Sequence, residues 1–223
     1  MAKKKKKEVK EDTLWVPNWG PLLAQTSVDD DLVKLLLKKG KEAKKEKMKQ
    51  DARSKLAAMM ENEYDFIEYE KWFYEPFNPY ISSYVQALEQ YGVNFKISPN
   101  LQWDCSSVWI NYQQKNEYNP PHNHSGHLSF VLFLQTPEEI AAEFDEQHKW
   151  HNNAGPGMLV FEFGIELLFS IHRLKIQPKV GDLVIFPAWL PHHVMGFKSD
   201  VERISVSGNV RLLEPSGPPP IIK

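Results

Sequence analysis

Between residues 106 and 212 the chain is broken into short apolar runs: SSVWINYQ (106–113), HLSFVLFLQ (127–135), MLVFEFG (158–164), LFSIHRLKI (168–176), GDLVIFPAW (181–189) and RISVSGNVRL (203–212). Each is rich in β-branched and aromatic residues and bounded by Gly, Pro, Asn or Asp, which predicts strands. Roughly six to eight such strands over about 110 residues suggest a sandwich or jelly roll. The interruption TPEEIAAEFDEQHKWHNNAGPG (136–157) is polar and too long for a hairpin turn, so it reads as an excursion near the barrel mouth.

Upstream of residue 101 the apolar spacing turns helical. SVDDDLVKLLLKKG starts a helix in which Ser27 can cap, Asp29, Asp30 and Asp31 favour the positive N-terminal end, and Lys38 and Lys39 the other end. A second, Lys-rich helical stretch runs to about Met60. In YISSYVQALEQYG (80–92) the residues Ile81, Tyr84, Val85, Leu88 and Tyr91 share one face, and Gly92 stops the helix. LWVPNWGPLL (14–23) is aromatic and broken by prolines, and is expected to pack on the body. The expected organisation is a basic tail (1–13), a mostly helical region (14–100), a β domain (101–213) and a C-terminal tail (214–223).

Composition narrows the function classes. Of the 223 residues, 42% are hydrophobic, enough for a core, and no run of eighteen apolar residues exists to cross a membrane. The first residues carry charge without an apolar stretch, unlike a secretory signal. One cysteine, Cys105, excludes an internal disulfide and a cysteine-rich zinc site, and makes a cytoplasmic location the default. The net charge of −2 hides an asymmetry: residues 1–55 hold 16 basic against 9 acidic side chains (+7), leaving 11 against 20 (−9). The basic front reads either as a solubilising tail or as an arm for nucleic acid.

The chemistry is carried by histidines. In YNPPHNHSGHLSFVLFL, His122 and His124 are two apart, so in an extended segment both face the same way and can converge on one metal ion. Seventy residues later GDLVIFPAWLPHHVMGF ends a strand with Pro187 and Pro191 holding His192 in direction. In ERISVSGNVRL, alternation puts Arg203, Ser205, Ser207 and Asn209 on one face. That row is either a polar outer face or an inward arginine that holds a carboxylate by two parallel hydrogen bonds.

Together these pieces resemble the iron(II)- and 2-oxoglutarate-dependent oxygenases, and more narrowly a family of oxygenases related to prolyl hydroxylases. The resemblance rests on WINYQQKNEYNPPHNHSGHLSFVLFL, GDLVIFPAWLPHHV and RISVSGNV, and is weak over the first sixty residues. It implies a mainly β fold, a double-stranded β-helix (a cupin-like jelly roll) with N-terminal helices against its outer face. It implies a dioxygenase that uses Fe(II), 2-oxoglutarate and O2 to hydroxylate a protein or small-molecule substrate. By that likeness His122, His124 and His192 hold iron, Arg203 and Ser205 hold 2-oxoglutarate, and Asn111 or Tyr112 contacts keto-acid or substrate. Two departures stand out: His124 replaces the usual carboxylate, and Phe133 stands where prolyl hydroxylases often have tyrosine.

Other readings stay open at this level. His127 could replace His124, and His124-Ser125-Gly126 could match the His-x-Gly pattern of halogenating relatives. A cupin-like metalloprotein without 2-oxoglutarate, or a non-catalytic interaction module, fits the same strands. His148, His151 and His172 read as loop or core residues, and Trp109, Trp150 and Trp189 as core.

Overall fold

A computed structural model describes residues 20–46, 50–91, 101–148 and 155–213. The expected tails (1–13 and 214–223), all of LWVPNW (14–19), residues 47–49 of the second Lys-rich stretch, the Gly92 stop, and Trp150 and His151 lie outside the described residues. Its elements are β1 (Ala24–Ser27), α1 (Asp30–Lys45), β2 (Glu63–Asp65), α2 (Tyr74–Gln90), β3 (Gln102–Gln113), β4 (Asn119–His122), β5 (Leu128–Gln135), α3 (Glu138–His148), β6 (Leu159–Glu162), β7 (Arg173–Ile176), β8 (Asp182–Pro187), β9 (His192–Val194) and β10 (Arg203–Leu213). No helix among the described residues is long and apolar enough to cross a membrane.

The strands form two antiparallel sheets, a larger one in the order β1-β8-β5-β10-β3-β2 and a smaller one in the order β4-β9-β6-β7. Neighbours in these sheets are distant in sequence, as a jelly roll requires. Val131, Phe133, Val184 and Phe186 of the larger sheet pack against Leu159, Phe161 and Ile176 of the smaller one. The larger sheet's other face carries the helices. Leu32, Val33 and Leu36 of α1 and Phe77, Ile81 and Tyr84 of α2 join Ile110, Tyr112, Phe130 and Leu132 in a second core. Period-two alternation in β5 and β8 supplies both cores at once.

The helix-to-sheet contact is tight at one point. A methyl group on Gly40 of α1 would overlap Ile110 Cδ1 and lie 2.8 Å from Tyr112 Oη. Gly40→Ala gains about 0.5–1 kcal/mol of helix preference, but overpacking of a filled core costs typically about 1–3 kcal/mol. The second effect wins, so the variant is expected to unfold at lower urea concentration with an unchanged m-value. A midpoint equal to or above wild type would contradict this packing.

Several elements differ from the sequence reading. Ser27 ends a strand and Asp29 occupies the helix N-cap, because residues 24–27 pair with β8 before the helix begins. Helix α1 runs on through Gly40 to Lys45 and takes in the start of the second Lys-rich stretch, whose later described residues give a 3-10 turn at Arg53–Lys55 and extended chain rather than a helix to Met60. Helix α2 starts six residues early, at Tyr74, and contains Pro79. The run at 168–176 pairs only from Arg173, and β1, β2, β4 and β9, each three or four residues long, carry no visible pattern.

The excursion at 136–157 holds α3, and its described part lies at the arginine end of the interior. The Gly157 carbonyl oxygen accepts from Arg203 Nη1 at 2.6 Å, and Glu143 accepts the Lys198 backbone N–H.

Candidate metal centre

Strand pairing brings the distant histidines together. His122, the last residue of β4, stands opposite His192, the first of β9. His124 follows as the chain leaves β4, fixed by its backbone N–H to the Ala188 carbonyl at 2.9 Å. The ring centroids are 4.3 Å apart for His122 and His192, 4.8 Å for His122 and His124, and 5.1 Å for His124 and His192. One ring nitrogen from each lies within 4.8 Å of the others. An ion bound at roughly 2.0–2.1 Å from imidazole nitrogen is within reach of all three by small side-chain rotations.

The rings are prepared as ligands. His122 Nδ1 donates to the Pro120 carbonyl at 2.7 Å and His192 Nδ1 to the Leu190 carbonyl at 2.9 Å, which leaves each Nε2 with a free lone pair. Burial, with His122 close by, pushes the His124 imidazole down to about 4 and the His192 imidazole down to about 3, and burial lowers His122 as well. All three are therefore neutral near pH 7, and a metal ion has no proton to displace from them.

The same pocket contains the arginine. Its lining includes His122, His124, His192, Arg203, Ser205 and Asn111, together with Trp109, Met60 and Asn119. Arg203 is 2% exposed, its guanidinium carbon lies 5.4 Å from the Phe133 ring centroid, and its Nε has no partner. Among the described residues, no acidic side chain lines this pocket. Burial lowers Arg203 to about 9, which leaves it cationic at neutral pH. A buried cation without a counter-ion is costly, and a ligand carboxylate would relieve that cost. Ser205 is buried beside it, and Asn111 Nδ2 reaches Ser205 Oγ and Ser207 Oγ at 3.4 Å each.

Tyr112 does not reach the pocket. Adjacent residues of a strand face opposite ways, and with Asn111 turned inward Tyr112 lies under α1, with Lys44 Nζ 4.1 Å from its ring centroid. His127 is exposed and its Nδ1 accepts the Leu212 N–H, so it is not a fourth member. A Cβ on Gly126, of the halogenase-like His-x-Gly pattern, would lie 3.1 Å from the Val210 carbonyl oxygen. His172 lies outside the cluster, 3.7 Å from Glu166. Trp109 is buried with its ring centroid 5.8 Å from that of His124, so it is both core and pocket wall; Trp189 is 51% exposed and not core.

Met60 and Asn119 had not been singled out in the sequence. Met60 comes from a Lys-rich stretch with no signal, whereas Asn119 belongs to the same extended NPPH segment as His122 and leaves its Oδ1 buried without a partner. Glu63 was also missed. It stands opposite Asn111 on β2, is 1% exposed, and burial, with the charges of Glu117 and Asp51, raises it to about 7.

Because the folded value of Glu63 lies above the ordinary glutamate value of 4.5, its stabilising contribution is full below about pH 4.5 and is lost as pH rises through 7. Glu63→Gln is therefore expected to flatten this decline and to exceed wild type at pH 8 by up to about 3 kcal/mol. Urea unfolding at pH 5 and pH 8 checks it; equal pH dependence in the two proteins would contradict it.

Two antiparallel sheets that enclose a histidine cluster and a buried arginine define a double-stranded β-helix. Residues 107–209 match the family model described as "Putative 2OG-Fe(II) oxygenase". Solved structures share the fold. A Pseudomonas putida prolyl-4-hydroxylase is 17% identical with a TM-score of 0.50, over 85% of this chain and 91% of that one. The non-heme alpha ketoglutarate dependent carbocyclase SnoK from nogalamycin biosynthesis is 12% identical with a TM-score of 0.51, over 85% and 79%. No protein of curated function matches the chain.

Proposed function

We propose that this protein is an oxygenase that hydroxylates its substrate with Fe(II) held by His122, His124 and His192 and 2-oxoglutarate held by Arg203 and Ser205. The observation that carries this reading is the buried, unpaired Arg203 in one acid-free pocket with three neutral imidazoles. Iron(II) and a guanidinium bring a charge of +3 there, which a dicarboxylate lowers to +1. The donor set thus suits a dianionic cosubstrate, and the absent ligand carboxylate strengthens the demand for one.

The iron, when bound, supplies activation of O2 and oxidative decarboxylation of the keto-acid. The chain's own residues orient and shield. The Pro120 and Leu190 carbonyls fix two of the imidazoles, and Arg203 offers parallel N–H donors to the distal carboxylate, as an arginine fork does. Ser205 adds a hydroxyl, and Asn111, already turned toward it, positions that hydroxyl. Trp109 walls the His124 side and keeps water from it.

Peptidyl proline is the substrate class we favour, on the likeness to the prolyl-4-hydroxylase fold, and the single cysteine favours a cytoplasmic protein. The basic arm's nucleic-acid role rests on charge alone. The reading is tested by incubating the protein with Fe(II), ascorbate and 2-oxoglutarate, and measuring succinate. Slow uncoupled succinate, lost in Arg203→Met, is expected; none from wild type would contradict it.

A further inference from the structure

Strand β4 carries a bulge beside the metal centre. His122 stands opposite His192 but Asn119 stands opposite Val194, so three steps on β4 match two on β9. In a regular strand residues three apart face opposite ways. The extra residue here brings Asn119 round to the side of His122, and both line the pocket. The bulge falls at Pro120 and Pro121 on an edge strand, where residues without an N–H are tolerated.

No protein group holds the amide that the bulge turns inward. Asn119 Oδ1 is buried without a partner, and among the described residues no hydrogen bond fixes either end of the amide. Asn111, the pocket's other asparagine, differs, since its Nδ2 already reaches Ser205 Oγ and Ser207 Oγ. A buried polar group left unpaired is costly, and a ligand that pairs it recovers that cost.

Strand register places this amide along the pocket. On the smaller sheet, β9 begins at His192 and passes Val194, and the chain continues to Gly196, whose carbonyl accepts the Gly157 N–H. The Gly157 carbonyl in turn accepts from Arg203 Nη1. Asn119, opposite Val194, is thus one two-residue strand step, about 6–7 Å, from the His122–His192 pair toward the guanidinium. On the larger sheet, Ser207, Ser205 and Arg203 run the same way. Ser207 stands opposite Trp109, the neighbour of His124, and Ser205 opposite Asn111. The two asparagines therefore enter the middle of the pocket from opposite sheets.

Resting on the function proposed above, we infer that Asn119 contacts the cosubstrate, its Nδ2 donating to 2-oxoglutarate between the imidazoles and Arg203. The ligand's two carboxylates and keto group offer only acceptors, so the amide presents its nitrogen, and no protein hydrogen bond opposes that turn. The primary substrate is the rival occupant. The middle of the pocket, however, is the stretch a keto-acid must span if it reaches both the iron and Arg203.

Anaerobic titration of the full chain, first with Fe(II) and then with 2-oxoglutarate, tests this in wild type, Asn119→Ala and Asn119→Asp. Asn119→Ala is expected to bind 2-oxoglutarate about 10-fold more weakly or worse, the effect of losing a hydrogen bond to a charged group. Its iron affinity is expected to be unchanged, and its ligand-free melting temperature equal to wild type or higher, because an orphaned buried group has gone. Asn119→Asp keeps the shape but loses the donor, and is expected to bind 2-oxoglutarate at least as weakly; it carries the test should the alanine variant fail to fold. Wild-type 2-oxoglutarate affinity in the variants, equal weakening of iron and 2-oxoglutarate binding, or a lower melting temperature with unchanged affinity would overturn the inference. Wild type that binds iron but no 2-oxoglutarate would instead overturn the proposed function itself.

Discussion

Arg203→Met is expected to weaken 2-oxoglutarate binding by about 100-fold or more while making the ligand-free protein more stable. Hydrogen bonds to a charged group contribute roughly 1.5–3 kcal/mol each, so loss of a two-pronged contact gives about 3 kcal/mol at least. The opposite sign for stability follows from the site. Arg203 is buried with one partner, the Gly157 carbonyl, and an orphaned Nε. Removal of an uncompensated buried charge stabilises by on the order of 1–3 kcal/mol. A structural arginine would show the reverse, with lower stability and unchanged ligand affinity. Calorimetric titration and thermal unfolding on the same variant separate the two.

The second large effect is at the histidines. His192→Ala is expected to weaken Fe(II) binding by more than about 100-fold, since even loss of a group that merely orients a ligand costs about 10–100-fold. His192 faces His122 across the strand pair, so the deletion removes a ring from the centre of the cluster. His127→Ala is expected to leave iron affinity unchanged, because that ring serves the Leu212 N–H instead. Anaerobic competition with a colorimetric chelator reads both. Equal losses in the two variants would mean that the cluster has been assigned wrongly.

Most of the site was readable because strands impose parity. Residues two apart share a face, so His122 with His124, and Arg203 with Ser205, could be paired from sequence. The phase of one strand against another could not be read. Asn111 and Tyr112 were equally good candidates until β3 took its place between β10 and β2, and only then did Tyr112 fall under α1. The meeting of His122 and His192 depends on β4 and β9, strands of four and three residues, too short to announce themselves.

The apolar run at 168–176 failed for a different reason. Apolar composition says that a segment can be buried, not that a surface exists to bury it, and the smaller sheet ends before Leu168 reaches one. The early start of α2 at Tyr74 has a tertiary cause: Pro79 inside the helix removes a backbone donor, and the packing of Phe73 and Phe77 against Phe130 holds the helix through it.

The most direct measurement of the central claim is an anaerobic titration of the full chain with Fe(II) and then 2-oxoglutarate, followed by visible absorption. If three imidazoles hold the iron while Arg203 seats the keto-acid beside it, a metal-to-ligand charge-transfer band appears and saturates at one equivalent. Iron that binds without any such band, or a band that survives Arg203→Met at the same 2-oxoglutarate concentration, would contradict the account.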